Sequence, residues 1–104
     1  MADLKHPMFA TYFRWTVKPG KEAEFAALWS EGTKALRLEG SLGSALFAGQ
    51  DGSYSAFARW PDKATRDGAF AKGIRPDIFD PFRECILETI SWDDVELIED
   101  LWVT

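Results

Sequence analysis

At residues 8–22 the chain reads MFATYFRWTVKPGKE: an alternating stretch, a proline–glycine break, and the charged start of a new element. Phe9, Thr11, Phe13, Trp15 and Val17 fall on one side of the alternation, with Met8, Ala10, Tyr12, Arg14 and Thr16 on the other. Period two with β-branched and aromatic side chains predicts a strand over residues 8–17. Pro19 has no N–H to give a sheet ladder, so Lys18-Pro19-Gly20-Lys21 ends the strand. From about Lys21 onward Phe25, Leu28, Trp29, Gly32 and Leu36 recur at helical spacing, which predicts a helix that stops near Gly40.

Two short strand-like runs follow, residues 41–49 and 53–60, separated by Gln50-Asp51-Gly52. An Asp-Gly pair is a strong hairpin signal because both residues accept positive φ, so these strands are expected to pair antiparallel. Asp62 reads as the N-cap of a helix running to about Gly73, with Ala64, Ala69 and Phe70 as its apolar members. Asp80-Pro81 then reads as an N-cap with proline at the first helical position, opening a helix with Phe82, Cys85, Ile86, Thr89 and Ile90 on one side. Residues 94–104 alternate Val95, Leu97, Glu99, Leu101 and Val103 against Glu96, Ile98, Asp100 and Trp102, which predicts a closing strand. With no repeat, low-complexity tract or linker, the reading is one domain over residues 1–104.

The order βαββαβ predicts an α+β, ferredoxin-like plan: a four-stranded antiparallel sheet with the helices on one face. The other face of such a sheet is ordinarily polar. Here Tyr12 opposes Phe9, Phe13 and Trp15, Phe47 opposes Leu42 and Leu46, and Phe57 opposes Tyr54 and Trp60, so both faces carry core-grade side chains. A patch beyond a few hundred Å² is more than soluble monomers ordinarily expose. A homodimer pairing the sheets about a two-fold axis would bury Tyr12, Phe47, Phe57 and Trp102, with Arg14, Arg59, Glu96 and Asp100 on the same face. The alternative is an open sheet whose aromatics sit over loops.

Composition narrows the chemistry. Seventeen acidic against twelve basic residues give a net charge of −5, with no basic block, which argues against nucleic acid and anionic membranes as partners. The first residues lack the apolar core of a secretory signal and no apolar run reaches membrane-span length, so a cytoplasmic protein is expected. Cys85 is the only cysteine and His6 the only histidine, which excludes an intrachain disulfide and any metal centre needing two His or Cys ligands from one chain. Cys85, on an apolar helix side, reads as a buried small hydrophobe.

Tyr12-Phe13-Arg14-Trp15-Thr16-Val17-Lys18-Pro19-Gly20-Lys21-Glu22, followed by Phe25 and Trp29, resembles the opening strand and helix of the antibiotic biosynthesis monooxygenase (ABM) domain family. Gly40-Ser41-Leu42-Gly43-Ser44 and Ala58-Arg59-Trp60-Pro61-Asp62 resemble its middle strands and the tryptophan closing the third. The resemblance covers nearly the whole chain and implies a ferredoxin-like protomer, a dimeric α/β barrel and a substrate site between sheet and helices. It implies a cofactor-independent monooxygenase of small, quinol-like aromatics, needing neither cofactor nor metal. Phe13 stands where catalytic members carry an asparagine, and Phe70 where the haem-degrading branch carries its histidine ligand, so haem chemistry is disfavoured.

If Phe9, Phe13, Trp15, Tyr54 and Trp60 share the helix-facing side, they would wall an aromatic cavity together with Trp29 and Phe70. The substrate-binding candidates are thus Trp60, Phe13, Trp15, Tyr54, Trp29 and Phe70; no catalytic residue is assigned. Trp60 offers a flat face and one N–H donor, Tyr54 a phenol and Thr11 a hydroxyl. Arg75 and Arg83 are candidates for holding an anion at the pocket mouth, while Asp77 and Asp80 fit helix caps better than general bases. The same side chains also suit an ordinary core. Three functions stay open: an oxygenase, a non-catalytic dimer binding a small hydrophobic ligand, and a structural or stress-related dimer.

Overall fold

The computed structural model describes residues 9–101; His6, Met8, Trp102 and Val103 lie outside the described residues. The elements are β1 (Phe9–Val17), α1 (Glu22–Arg37), β2 (Gly43–Ala48), β3 (Tyr54–Trp60), α2 (Lys63–Ala71), α3 (Pro76–Glu84) and β4 (Ile86–Glu96). Every neighbouring pair is antiparallel in a sheet of order β2-β3-β1-β4, the ferredoxin-like plan with the second helical region divided in two.

Local chemistry explains most boundaries. After β1, the Lys21 N–H donates to the Lys18 carbonyl at 3.0 Å while Gly20 holds φ +84°. Proline then glycine at the two central positions is what a type II turn requires. Glu22 and Glu24 open α1 and Lys34 and Arg37 close it, each charge opposing the nearer end of the helix dipole. In the loop between β2 and β3 only Gly52 takes positive φ, at +86°. Asp51 instead accepts from the Ser53 N–H at 3.0 Å and from its hydroxyl at 2.7 Å, so the loop is three residues long, between Gly49 and Ser53, rather than a two-residue Asp-Gly turn. Asp62 caps α2 as expected, accepting from the Thr65 N–H at 2.7 Å.

The C-terminal third departs from the sequence reading. Helix α3 begins at Pro76, behind Arg75 in the left-handed region (φ 47°), and ends at Glu84. Asp80 is therefore no N-cap, and Pro81 lies inside the helix. Ile86, Thr89 and Ile90 belong to β4 and not to a helix, and the strand ends at Glu96, before most of the predicted closing strand. The cause lies in two register shifts: β1 partners run Arg14 with Ser91, then Trp15 with Thr89, Thr16 with Glu88 and Val17 with Ile86. Ile90 and Leu87 are thus bulged out of the ladder. Each extra residue turns a spacing of two into three, so a bulged strand imitates a helix.

The pairing register sorts the two faces. Thr11, Phe13, Trp15, Ala56, Trp60 and Trp92 face the helices, while Tyr12, Arg14, Phe57, Arg59 and Val95 face away. Phe47, paired with Ser55, shares that outer face. Glu96 pairs with Phe9 and so lies on the helix side; Val95 takes the outer position expected of it. The core gathers Trp15, Phe25, Ala56 and Cys85 under α1 and α3. Burial pushes the Cys85 thiol up, as befits a buried hydrophobe.

Candidate ligand-binding site

Between the helix-facing side of the sheet and the three helices lies a cavity of about 450 Å³. That size falls in the range of small-molecule sites, roughly 300–1,000 Å³. Its floor is the sheet, with Phe13 and Trp15 from β1, Ala58 and Trp60 from β3, and Thr89 and Trp92 from β4. Trp29 and Gly32 of α1, Phe70 of α2, and Phe79, Phe82 and Arg83 of α3 form the opposing walls. Trp60 and Trp15 are buried whereas Trp92 is 57% exposed, so the cavity is closed off at those two tryptophans and opens beside Trp92.

Aromatic packing gives these walls their shape. Phe13 stacks on Trp15 at 5.1 Å and tilts against Trp92 at the same distance. Phe70 meets Trp60 edge-on at 5.8 Å and Trp92 edge-on at 6.3 Å. Gly32 lets α3 approach α1: a Cβ there would stand 2.9 Å from the Phe79 ring. Trp60 carries the one unusual polar feature, since its indole N–H is buried with no acceptor among the described residues. Such a donor costs about 1–3 kcal/mol while unmet.

Five of the six expected site residues, Trp60, Phe13, Trp15, Trp29 and Phe70, therefore line one cavity. Tyr54 does not; its ring packs on Phe25 at 5.3 Å, within the core beyond the cavity wall. Thr11 does not offer its hydroxyl either, because Oγ1 accepts from Arg66 Nη1 at 2.9 Å. Arg83 reaches the lining, whereas Arg75 turns away and forks onto Asp77 at 2.9 and 2.8 Å. Among the described residues no group of three or more His, Cys, Asp or Glu side chains is placed to hold a metal.

Sequence reasoning missed Trp92 and the cluster behind Phe70. Residues 91–93 fall between the predicted helix and strand, although Thr89-Ile90-Ser91-Trp92 is rich in strand formers. Arg66 is 6% exposed on the buried side of α2 and forks onto Asp94 at 2.7 and 3.2 Å, with Asp67 at 2.9 Å. Its guanidinium lies 5.0 Å over Phe9 and 6.0 Å over Phe70. The Arg66 fork holds the Asp94 carboxyl below the usual carboxylate range, and Asp94 in turn raises Arg66. One signal was available: Arg66 shares a helical stripe with Ala69 and Phe70, where a cation needs a buried partner.

No family model matches the sequence, and no curated protein matches it. Solved structures do. A Chloroflexus aurantiacus protein with the proposed name antibiotic biosynthesis monooxygenase superposes with TM-score 0.78 at 12% identity, covering 93% of this chain and 99% of its own. Rv0793 from Mycobacterium tuberculosis superposes with TM-score 0.73 at 15% identity, covering 91% and 99%. SnoaB from Streptomyces nogalater, a cofactor-independent oxygenase solved as a point mutant, superposes with TM-score 0.67 at 20% identity, covering 90% and 96%. At these identities the agreement is one of fold: the chain has the fold of the antibiotic biosynthesis monooxygenase structures, the fold implied by its first strand and its tryptophan-closed third.

Proposed function

We propose that this protein binds a small, flat, largely apolar aromatic molecule in the cavity between sheet and helices, and that it works as a homodimer. The observation that carries the reading is the cavity itself: about 450 Å³, with eight aromatic side chains in its lining. Rings of that kind favour a planar guest through stacked and edge-on contacts.

Oxygenation of a quinol-like guest without a cofactor is the second reading, supported by the shared fold with SnoaB. In such a step naphthoquinol and dioxygen give hydroxynaphthoquinone and water, the substrate supplying the electrons. The dimer rests on the outer sheet face, where Phe47 and Phe57 are exposed beside Tyr12 and Val95. Arg14 on that face pairs with Asp51 at 2.5 Å and Arg59 with Asp100 at 3.1 Å, so both signs of charge edge the apolar patch. A surface with both signs around an apolar centre is complementary to a two-fold copy of itself.

Tryptophan fluorescence titrated anaerobically with naphthoquinol tests the binding. Saturation with one site per chain is expected, together with its loss in Ala58→Phe, a residue that lines the floor. Thermal unfolding of the variant separates a filled cavity from a lost fold. Unsaturable quenching, or equal binding by a folded variant, would overturn the proposal. Oxygen uptake above autoxidation decides whether the guest is also a substrate.

A further inference from the structure

One side chain in the cavity lining ionises, and it is a cation. Arg83, in the last turn of α3, has no Asp, Glu, His, Lys, Cys or Tyr beside it in that lining. The remaining polar side-chain groups are the hydroxyls of Thr33, Ser41, Ser44 and Thr89 and the indole N–H groups of Trp15, Trp29, Trp60 and Trp92. Two of these hydroxyls are engaged: Ser44 donates to the Phe57 carbonyl at 2.8 Å, and Ser41 accepts from the Gly43 N–H at 3.1 Å. A general base must lie within about 2.6–3.2 Å of the proton it removes, and among the described residues no lining side chain is a base. Among the described residues the cavity offers no group that would ionise a phenol or enol.

The charge is placed at the mouth. The Arg83 side chain is 68% exposed, its Nη1 3.0 Å from Asp80 Oδ1. Asp80 is not part of the lining, and an exposed pair three residues apart is weak enough to exchange for another anion. Among the described residues the lining thus offers hydroxyls, indole donors and a single cation, with no anionic side chain to oppose a negatively charged guest. Resting on the reading that the cavity takes a flat aromatic guest, we propose that it selects guests that arrive already ionised. The guest's rings lie between Phe13 and Phe70 and an anionic oxygen, of a carboxylate or an acidic enol, sits at Arg83. An oxygenation substrate would bring its own acidity, where a base in the lining would otherwise supply it.

Three probes of similar size separate the possibilities by tryptophan fluorescence at neutral pH: naphthoate, hydroxynaphthoquinone as an acidic enol, and methyl naphthyl ketone as the neutral analogue. At least one anion is expected to bind about threefold to fivefold tighter than the ketone, an advantage that Arg83→Gln and added salt both remove. Which anion gains identifies the oxygen chemistry. Equal or tighter binding of the ketone, or an anion preference that survives Arg83→Gln, overturns the selection of anions and leaves the cavity reading standing. If none of the three binds, the cavity reading itself fails and this inference with it.

Discussion

Arg66 and Asp94 hold the Phe70 wall of the cavity against the sheet. Removing one partner leaves a mostly buried charge, and because Asp94 is partly exposed the expected cost of Asp94→Asn is about 1–2 kcal/mol in urea unfolding. The pH dependence has a definite sign. Asp94 is held below its unfolded value by Arg66, so its stabilisation is fully present above that value, about 3.9, and is lost as pH falls through the lower folded value. The stability gap between wild type and Asp94→Asn should therefore shrink as pH falls below about 4. A gap that stays constant over that range would show that the fork contributes nothing. At this scale the sequence was legible where a side chain's burial follows from alternation, as for Phe13, Trp15 and Trp60. It was not legible for Tyr54, whose ring turns onto Phe25 within the same face, nor for Arg66, whose partner lies 28 positions away. Neither contact leaves a local pattern.

Elements ending in a local device were read correctly: the Pro-Gly turn after β1 and the Asp62 cap of α2 are both written within a few residues. The α3–β4 region was not, because two bulges in β4 disguise a strand as a helical repeat and Pro81 sits inside a helix it seemed to open. The turn into α3 is the strained point of the described chain, with Arg75 its only non-glycine residue at positive φ. Its exposed fork onto Asp77 offsets little, since solvent screens a surface ion pair. Glycine removes the steric cost of the left-handed region, roughly 1 kcal/mol, so Arg75→Gly should leave the protein as stable or raise it by up to about 1 kcal/mol. A clear loss in chemical denaturation would mean that the Arg75–Asp77 fork positions α3.

As a whole, the molecule shows a sheet with work on both faces. One face floors the cavity, and the other presents Tyr12, Phe47, Phe57 and Val95 beside paired charges. That two-sidedness was plain in the sequence, since alternation puts an aromatic on each face whichever way the strands are turned. Phe57→Asp, at the centre of the outer face, should convert a homodimer to a folded monomer in light scattering after size exclusion. A wild-type monomer at micromolar concentration would remove the dimer. No helix among the described residues is long and apolar enough to cross a membrane. The cavity remains the centre of the functional reading, and a crystal structure of the protein grown with naphthoate tests it most directly. Planar density between Phe13 and Phe70, over Trp60 and with its carboxylate toward Arg83, is the expected result. A cavity closed by its own side chains, or density found only on the outer sheet face, would contradict it.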